Sequence, residues 1–376
     1  MRALALLLAL TACDESGVLS TGDDPPVDEP SDTDAPPVAD TDAPADTDAP
    51  PDPVELPPPT PAAPCTDDLD ADNGALAPDL GTPSRPGAFT GDPGEDGPFQ
   101  VVRRNASLRN PFPGRDRIPV TSYAPSTDGE TAAAGPYPLV LVMPGFGYKY
   151  AGYEHFILPL VSHGFVVVGM DFPNAGFLDP AAHDKSAAEA SSVIDWALTE
   201  GPHVTIIDPT KVAAMGHSFG GKMAFYAASL DDRIDLAVGW DPQNSGGPPC
   251  FLGDLTGGSC NDFPVAPNCE ADDSGRMHLM HAETLVFATE DETITPDAHL
   301  RAWNFYRGAP SPASYVHFGS AGHAAWTTNG EVSALTRRVH TAALLSRLGG
   351  WRGLNDWLPG GTWLDGQRLV DDHRAK

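Results

Sequence analysis

The stretch "VAAMGHSFGGKMAFYAAS" (Val212–Ser229) decides the fold. It opens as an apolar run of strand character and closes as a helix-forming run of small and apolar residues. Between the two stands Gly216-His217-Ser218-Phe219-Gly220, a G-x-S-x-G pattern. A polar triplet between two buried segments is either a packing accident or a nucleophile. At a strand-to-helix junction the pattern is a nucleophile elbow. The serine takes a strained turn, and the flanking glycines let backbones approach without Cβ clashes. The helix that follows points the positive end of its dipole at charge developing near the serine.

Working outward, the same texture repeats. "PLVLVMP" (138–144) and "FVVVGMD" (165–171) are continuous apolar runs, the mark of strands buried on both faces. "DLAVGWD" (235–241), "TLVFAT" (284–289) and "SYVHFG" (314–319) are further strands. Helical patterns fall between them over 151–164, 186–201 and 219–230, and a closing amphipathic helix covers 331–349. "GPFQVVRRN" (97–105) and "RIPVTSYAP" (117–125) read as opening antiparallel strands. Strands alternating with helices predict an α/β domain over 87–350, a mostly parallel central sheet with helices on both faces. A long insertion is expected over about 243–280, and residues 351–376 read as a C-terminal extension.

In such a sheet, reactive groups gather at the carboxyl ends of the strands. Serine needs a base, and in this architecture the chain order is Ser, acid, His. Of the late histidines, His340 falls in the closing helix, His373 in the tail, His299 on the helix after "TP", and His317 inside a strand. His323, in "FGSAGHAAWT" (318–327), stands on a small-residue loop at a strand's carboxyl end and is the expected base for Ser218. Three carboxylates, Glu290, Asp291 and Glu292, follow the "TLVFAT" strand. Aspartate is the commoner acid, which favours Asp291. Asp241, at the end of "DLAVGWD", is a third option but reads as a turn residue before Pro242. An oxyanion hole needs two backbone N–H groups. The residue after the nucleophile, Phe219, supplies one, and Phe146 in "GFGYKY" (145–150) the other. The side chains of Phe146 and Tyr148 are then free to line a substrate pocket.

The N-terminal part differs. "MRALALLLALTAC" (1–13) has one basic residue, an apolar run and small residues, as an export signal does. "LTAC" is similar to a bacterial lipobox, with Cys13 the lipidated residue, so an exported, membrane-anchored protein on the periplasmic or cell-surface face is expected. Residues 14–86 are acidic and rich in Asp, Pro, Thr and Ala, with Asp-Thr-Asp-Ala-Pro repeated, and read as a disordered spacer. Residues 1–98 hold 22 of the 52 acidic residues but only Arg2 and Arg85 among the basic ones, so most of the net charge of −30 lies there. That balance argues against nucleic acid as a partner. Acidic residues over 68–79 loosely resemble a calcium loop, but the glycine falls one place late and solvated linker is the preferred reading. Besides Cys13 there are Cys65, Cys250, Cys260 and Cys269, an even number that suggests disulfides in an oxidising compartment. Their spacings match no common zinc pattern, and no metal is expected.

In order along the chain, "GPF", "YPLVLVMPGFG", "SHGFVVVGMDFP", "KVAAMGHSFGG", "TITP" and "AGH" resemble the α/β-hydrolase superfamily. Within it they resemble the branch of bacterial cutinases (polyester hydrolases), chlorophyllases and platelet-activating-factor acetylhydrolase-like enzymes. The resemblance covers roughly 87–350. It implies a triad of Ser218, His323 and an acid at 291 or 292, with N–H groups from Phe146 and Phe219. Related hydrolases place an aspartate four residues before a proline, a register that falls on Glu292 before Pro296, so Asp291 and Glu292 both stay open. Departures are Phe219 where cutinases commonly have methionine, and the cysteine-bearing insertion. The resemblance implies hydrolysis of carboxylic esters, small, lipid or polymeric, by a monomer without cofactor. Alternatives are a peptidase or thioesterase on the same fold, or a non-catalytic surface lipoprotein that uses the fold as a binding module.

Overall fold

The structure, a computed structural model, describes residues 85, 87–173, 182–243, 277, 280–289, 302–310 and 312–376. Cys13, Cys65, Cys250, Cys260, Cys269, the 68–79 segment, Asp291, Glu292 and His299 lie outside the described residues, as does most of the 243–280 insertion.

The described strands form one nine-stranded sheet in the order β1-β2-β4-β3-β5-β6-β7-β8-β9. They are β1 (Gln100–Leu108), β2 (Ile118–Ser126), β3 (Tyr137–Met143), β4 (Val166–Met170), β5 (Ile207–His217), β6 (Ile234–Trp240), β7 (Glu283–Thr289), β8 (Ala313–Phe318) and β9 (Asp372–Ala375). Pairing from β4 through β8 is parallel. The edges are antiparallel: β1 with β2, β2 with β4, and β8 with β9. The crossover helices between parallel strands cover both faces, as such connections demand.

The period-2 alternation of strand side chains assigns residues to two cores. Leu139, Leu141 and Met143 of β3, Val166, Val168 and Met170 of β4, and Val212 and Ala214 of β5 point to one face. Helices α2 (Ala182–Thr199) and α3 (Phe219–Ala228) close that face with Ala190, Val193, Ile194, Met223 and Phe225. Val140, Val142, Val167, Ala213 and Met215 point to the other face. There α1 (Glu154–Ser162) and α5 (Glu331–Arg347), which follows the short α4 (Ala302–Gly308) in the chain, bury Phe156, Ile157, Leu160, Val339 and Leu344. A continuous Val/Leu run is what a strand covered on both sides requires, which is why β3 is buried at every position.

Residues 351–376, set apart as an extension by their sequence, belong to the same body. Leu354, Leu358 and Leu364 are buried in the second core. β9 pairs Ser314 with Ala375 and His317 with Asp372, so the chain's last strand covers the edge of β8. Among the described residues no helix is long and apolar enough to cross a membrane.

Candidate active site

β5 and β6 run side by side in register, with His217 opposite Trp240. The next residue on each strand leaves the sheet. These are Ser218, at φ 54° and ψ −116°, and Asp241, at φ 46°. They are the two non-glycine residues with positive φ among those described. Both conformations are disfavoured for residues with a Cβ, by roughly 1–3 kcal/mol each. The surrounding ladder imposes them: the Ser218 N–H donates to the Trp240 carbonyl at 2.9 Å, and the Asp241 N–H to the Phe287 carbonyl of β7 at 2.7 Å. α3 begins at Phe219, directly after the serine. Gly220 permits that turn, because a Cβ there would sit 2.4 Å from the Met143 carbonyl oxygen and 2.5 Å from that of Pro144.

His323 stands on the loop after β8, at the start of a short 3-10 turn covering His323–Thr327. Its Nε2 lies 2.9 Å from Ser218 Oγ. Its Nδ1 lies 2.6 Å from Asp241 Oδ2, and a carboxylate oxygen accepts, so Nδ1 carries the proton and Nε2 is left to receive the serine's. Asp241 is 2% exposed and has a second set of donors. Thr289, the last residue of β7, donates its N–H to Oδ1 at 3.1 Å and its hydroxyl to Oδ2 at 3.0 Å. Neighbouring strand ends thus hold a hydroxyl, an imidazole and a carboxylate in line.

Of the acids the sequence offers, Asp291 and Glu292 lie outside the described residues, and among the described residues it is Asp241 that faces His323. Asp241 reads in the sequence as a turn residue before Pro242, and it does make the turn, but at φ 46° its carboxylate faces the imidazole. Its position, after Ser218 and before His323 at a strand's carboxyl end, was the available signal. The other histidines sit elsewhere. His317, in β8, has Nδ1 2.9 Å from Asp371 Oδ1. His340 is buried in α5, where burial pushes its pKa well below the ordinary range. His373 accepts the Gly360 N–H through Nδ1 at 3.1 Å and has Nε2 3.0 Å from Asp365 Oδ1.

The rings of Phe146 and Phe219, the latter next to the serine in sequence, meet edge to face with centroids 6.4 Å apart. As the first residue of α3, Phe219 has no carbonyl one turn back for its N–H to bind. Phe172 packs edge to face on Phe219 at 4.9 Å, and His183 at 5.1 Å. Phe146 is 40% exposed and Tyr148 51%, while Phe219 is buried, so Phe219 with Phe172 and His183 forms a covered aromatic wall and Phe146 an open edge against it. Behind this wall Lys222 Nζ, on α3, lies 2.9 Å from His183 Nδ1. Burial, with the Lys222 ammonium adding to it, holds His183 down to a pKa of about 2. Among the described residues no group of three or more His, Cys, Asp or Glu is arranged to hold a metal ion.

Known proteins resemble this chain in sequence. Residues 121–242, which run from β2 to just past Asp241, match the chlorophyllase family model. The chain is 30% identical to chlorophyllase-2 of Arabidopsis thaliana over 123 residues, 30% of this chain and 38% of that protein. It is 25% identical to a bis(hydroxyethyl) terephthalate hydrolase of Streptomyces coelicolor over 253 residues, 65% of this chain and 71% of the relative. It is 24% identical to cutinase est2 of Thermobifida alba over 231 residues, 60% of this chain and 63% of the cutinase. The match to the plant protein thus spans less than half its length, whereas those to the two bacterial enzymes run through most of theirs. By its sheet, its crossover helices and these matches, the chain has the α/β-hydrolase fold and resembles the cutinase and chlorophyllase branch of that superfamily.

Proposed function

We propose that the chain is a serine hydrolase of carboxylic esters, with Ser218 as nucleophile, His323 as base and Asp241 as the acid. One observation carries this reading: Ser218 Oγ, His323 and Asp241 form a continuous hydrogen-bonded line, at 2.9 and 2.6 Å, on a strained strand-to-helix turn. Ser218 Oγ attacks the ester carbonyl carbon while its proton passes to His323 Nε2. The carbonyl oxygen becomes an oxyanion that the Phe146 and Phe219 N–H groups receive at the N-terminus of α3. His323 returns the proton to the departing alkoxide, leaving an acyl group on Ser218. Water, deprotonated by the same imidazole, then releases the acid and restores the serine. Asp241 keeps the proton on Nδ1 and stabilises the imidazolium formed in each half. No step calls for a metal or an organic cofactor.

The exposed rings of Phe146 and Tyr148 favour an apolar acyl or alcohol portion in the substrate. Residues 1–13 support an exported, lipid-anchored setting, with Cys13 as the anchor. The names of the relatives add support, a bis(hydroxyethyl) terephthalate hydrolase and a cutinase among them.

A fluorophosphonate probe tests the reading. The folded wild-type protein is expected to take the label, and Ser218→Ala to lose both label and hydrolysis of p-nitrophenyl esters. Well-folded wild-type protein that takes no label and cleaves no ester in a chain-length series refutes the proposal.

A further inference from the structure

His217, the residue before the nucleophile, takes no part in the proton transfers above, yet it is 2% exposed and both ring nitrogens are engaged. Its Nε2 lies 2.8 Å from the backbone oxygen of His323. A carbonyl only accepts, so Nε2 carries the proton and Nδ1 presents a lone pair. Tyr153 Oη lies 2.8 Å from that Nδ1 and must therefore donate to it. With its hydrogen committed there, the Tyr153 oxygen accepts the Gly145 N–H at 3.2 Å. Every polar atom in the chain then has a single compatible role: Gly145 N–H to Tyr153 oxygen, Tyr153 O–H to His217 Nδ1, His217 Nε2–H to the His323 carbonyl.

Through Tyr153 the relay joins three segments that the reaction needs in fixed relation. Gly145 precedes Phe146, the proposed oxyanion donor. His217 precedes Ser218. The His323 carbonyl belongs to the base itself. A second observation shows how closely the parts are fitted. A Cβ on Gly145 would lie 3.0 Å from His217 Nδ1, 3.3 Å from Tyr153 Oη and 3.5 Å from Ser218 Cβ. The glycine is the gap that lets the oxyanion loop lie against the relay. The His217 and His323 rings also pack together, with centroids 4.7 Å apart. Tyr153 is wholly buried and stacks on Trp240, the residue before Asp241, at 5.9 Å.

Resting on the hydrolase reading above, we propose that His217 and Tyr153 are positioning residues, a neutral hydrogen-bonded relay that fixes the base and the oxyanion loop relative to Ser218. Neutrality is part of the device. Burial first, and the neighbouring His323 second, hold the His217 pKa down to about 3, so the ring stays uncharged while His323 takes up and returns its proton. Burial likewise raises the Tyr153 pKa and keeps its hydroxyl a donor. A charged His217 would instead repel the imidazolium on which the reaction depends.

Three variants test the relay, each assayed as turnover per fluorophosphonate-titrated site so that unfolded protein does not count. Tyr153→Phe removes the hydroxyl and leaves the Gly145 N–H and His217 Nδ1 without it; kcat per titrated site is expected to fall roughly tenfold, with KM held within about twofold. His217→Leu removes both links and is expected to lower kcat roughly a hundredfold. His217→Gln can still donate an amide hydrogen towards the His323 carbonyl and is expected to recover about a tenth of wild-type kcat or more. Should Tyr153→Phe fail to fold, the Leu and Gln pair at 217 carries the test alone. A purely structural role would lower the melting temperature and the titratable fraction while leaving kcat per titrated site unchanged. That result, or His217→Gln being no better than His217→Leu, overturns the relay. Wild-type protein that takes no label overturns the hydrolase reading itself, so the two failures are distinct.

Discussion

Replacing Asp241 by asparagine separates the carboxylate's charge and acceptor pattern from its bulk. The Asp241 carboxylate receives hydrogen bonds from His323 Nδ1, the Thr289 N–H and the Thr289 hydroxyl. The backbone N–H is a fixed donor, so the amide oxygen of asparagine must face it and the NH₂ must turn to the Oδ2 side. The Thr289 hydroxyl can rotate to accept from that NH₂, but His323 Nδ1 then faces a donor and must give up its proton. The imidazole adopts the other tautomer, with hydrogen on Nε2, and no lone pair meets Ser218. The same exchange of carboxylate for amide in a serine protease triad lowers kcat about 10⁴-fold, which is about 5 kcal/mol of transition-state stabilisation. Asp241→Asn is expected to show a loss of that order in steady-state hydrolysis of a p-nitrophenyl ester, with circular dichroism confirming the fold. Asp291→Asn and Glu292→Gln are expected to stay within about threefold of wild type. Near-normal turnover in Asp241→Asn, or a comparable collapse in either of the other two variants, refutes the assignment.

Gly220→Ala forces a Cβ against two backbone carbonyls, at 2.4 and 2.5 Å, which have no rotamer by which to yield. A cost of about 2 kcal/mol or more is expected, read as a fall of about 5 °C in melting temperature, and an unchanged melting temperature contradicts the packing described. Acid is expected to weaken the fold well before the carboxylates titrate. Burial lowers the pKa of His217 to about 3, of His183 to about 2 and of His340 well below its usual value, so the unfolded chain binds protons on these rings that the folded one refuses. Their stabilisation is complete above the unfolded pKa of about 6.5 and is lost as pH falls towards the folded values, at up to about 1.4 kcal/mol per pH unit for each ring. The urea midpoint is therefore expected to drop between about pH 7.5 and about pH 5, and a flat or rising midpoint refutes the reading.

The parts of this molecule that were plain in the sequence share a local cause. β3 and β4 show as unbroken apolar runs because both faces of the sheet are covered, and Ser218 shows because its turn demands glycine nearby. His323 was legible from its loop of small residues at a strand's end. Asp241 was not, because an aspartate before proline at the end of a strand looks the same whether it caps a turn or faces an imidazole. Only the pairing of β6, β7 and β8 brings it beside a histidine 82 residues further on. β9, with the sequence Asp-His-Arg-Ala, has no apolar alternation at all. It becomes a strand because the edge of β8 supplies a row of backbone partners, a tertiary cause with no local trace. The Tyr153 to His217 link was hidden for the same reason, since neither residue's neighbours reveal that the two meet.

Ser218 and Asp241 also sit where the backbone least wants them, on adjoining strand ends of an otherwise relaxed sheet. A glycine at either position would free the chain of that unfavourable twist and silence the chemistry in the same stroke. Selection for robustness alone would therefore push this molecule towards an inert relative of itself. Its reactive hydroxyl endures only where turnover is what lineages, or laboratory screens, are made to keep.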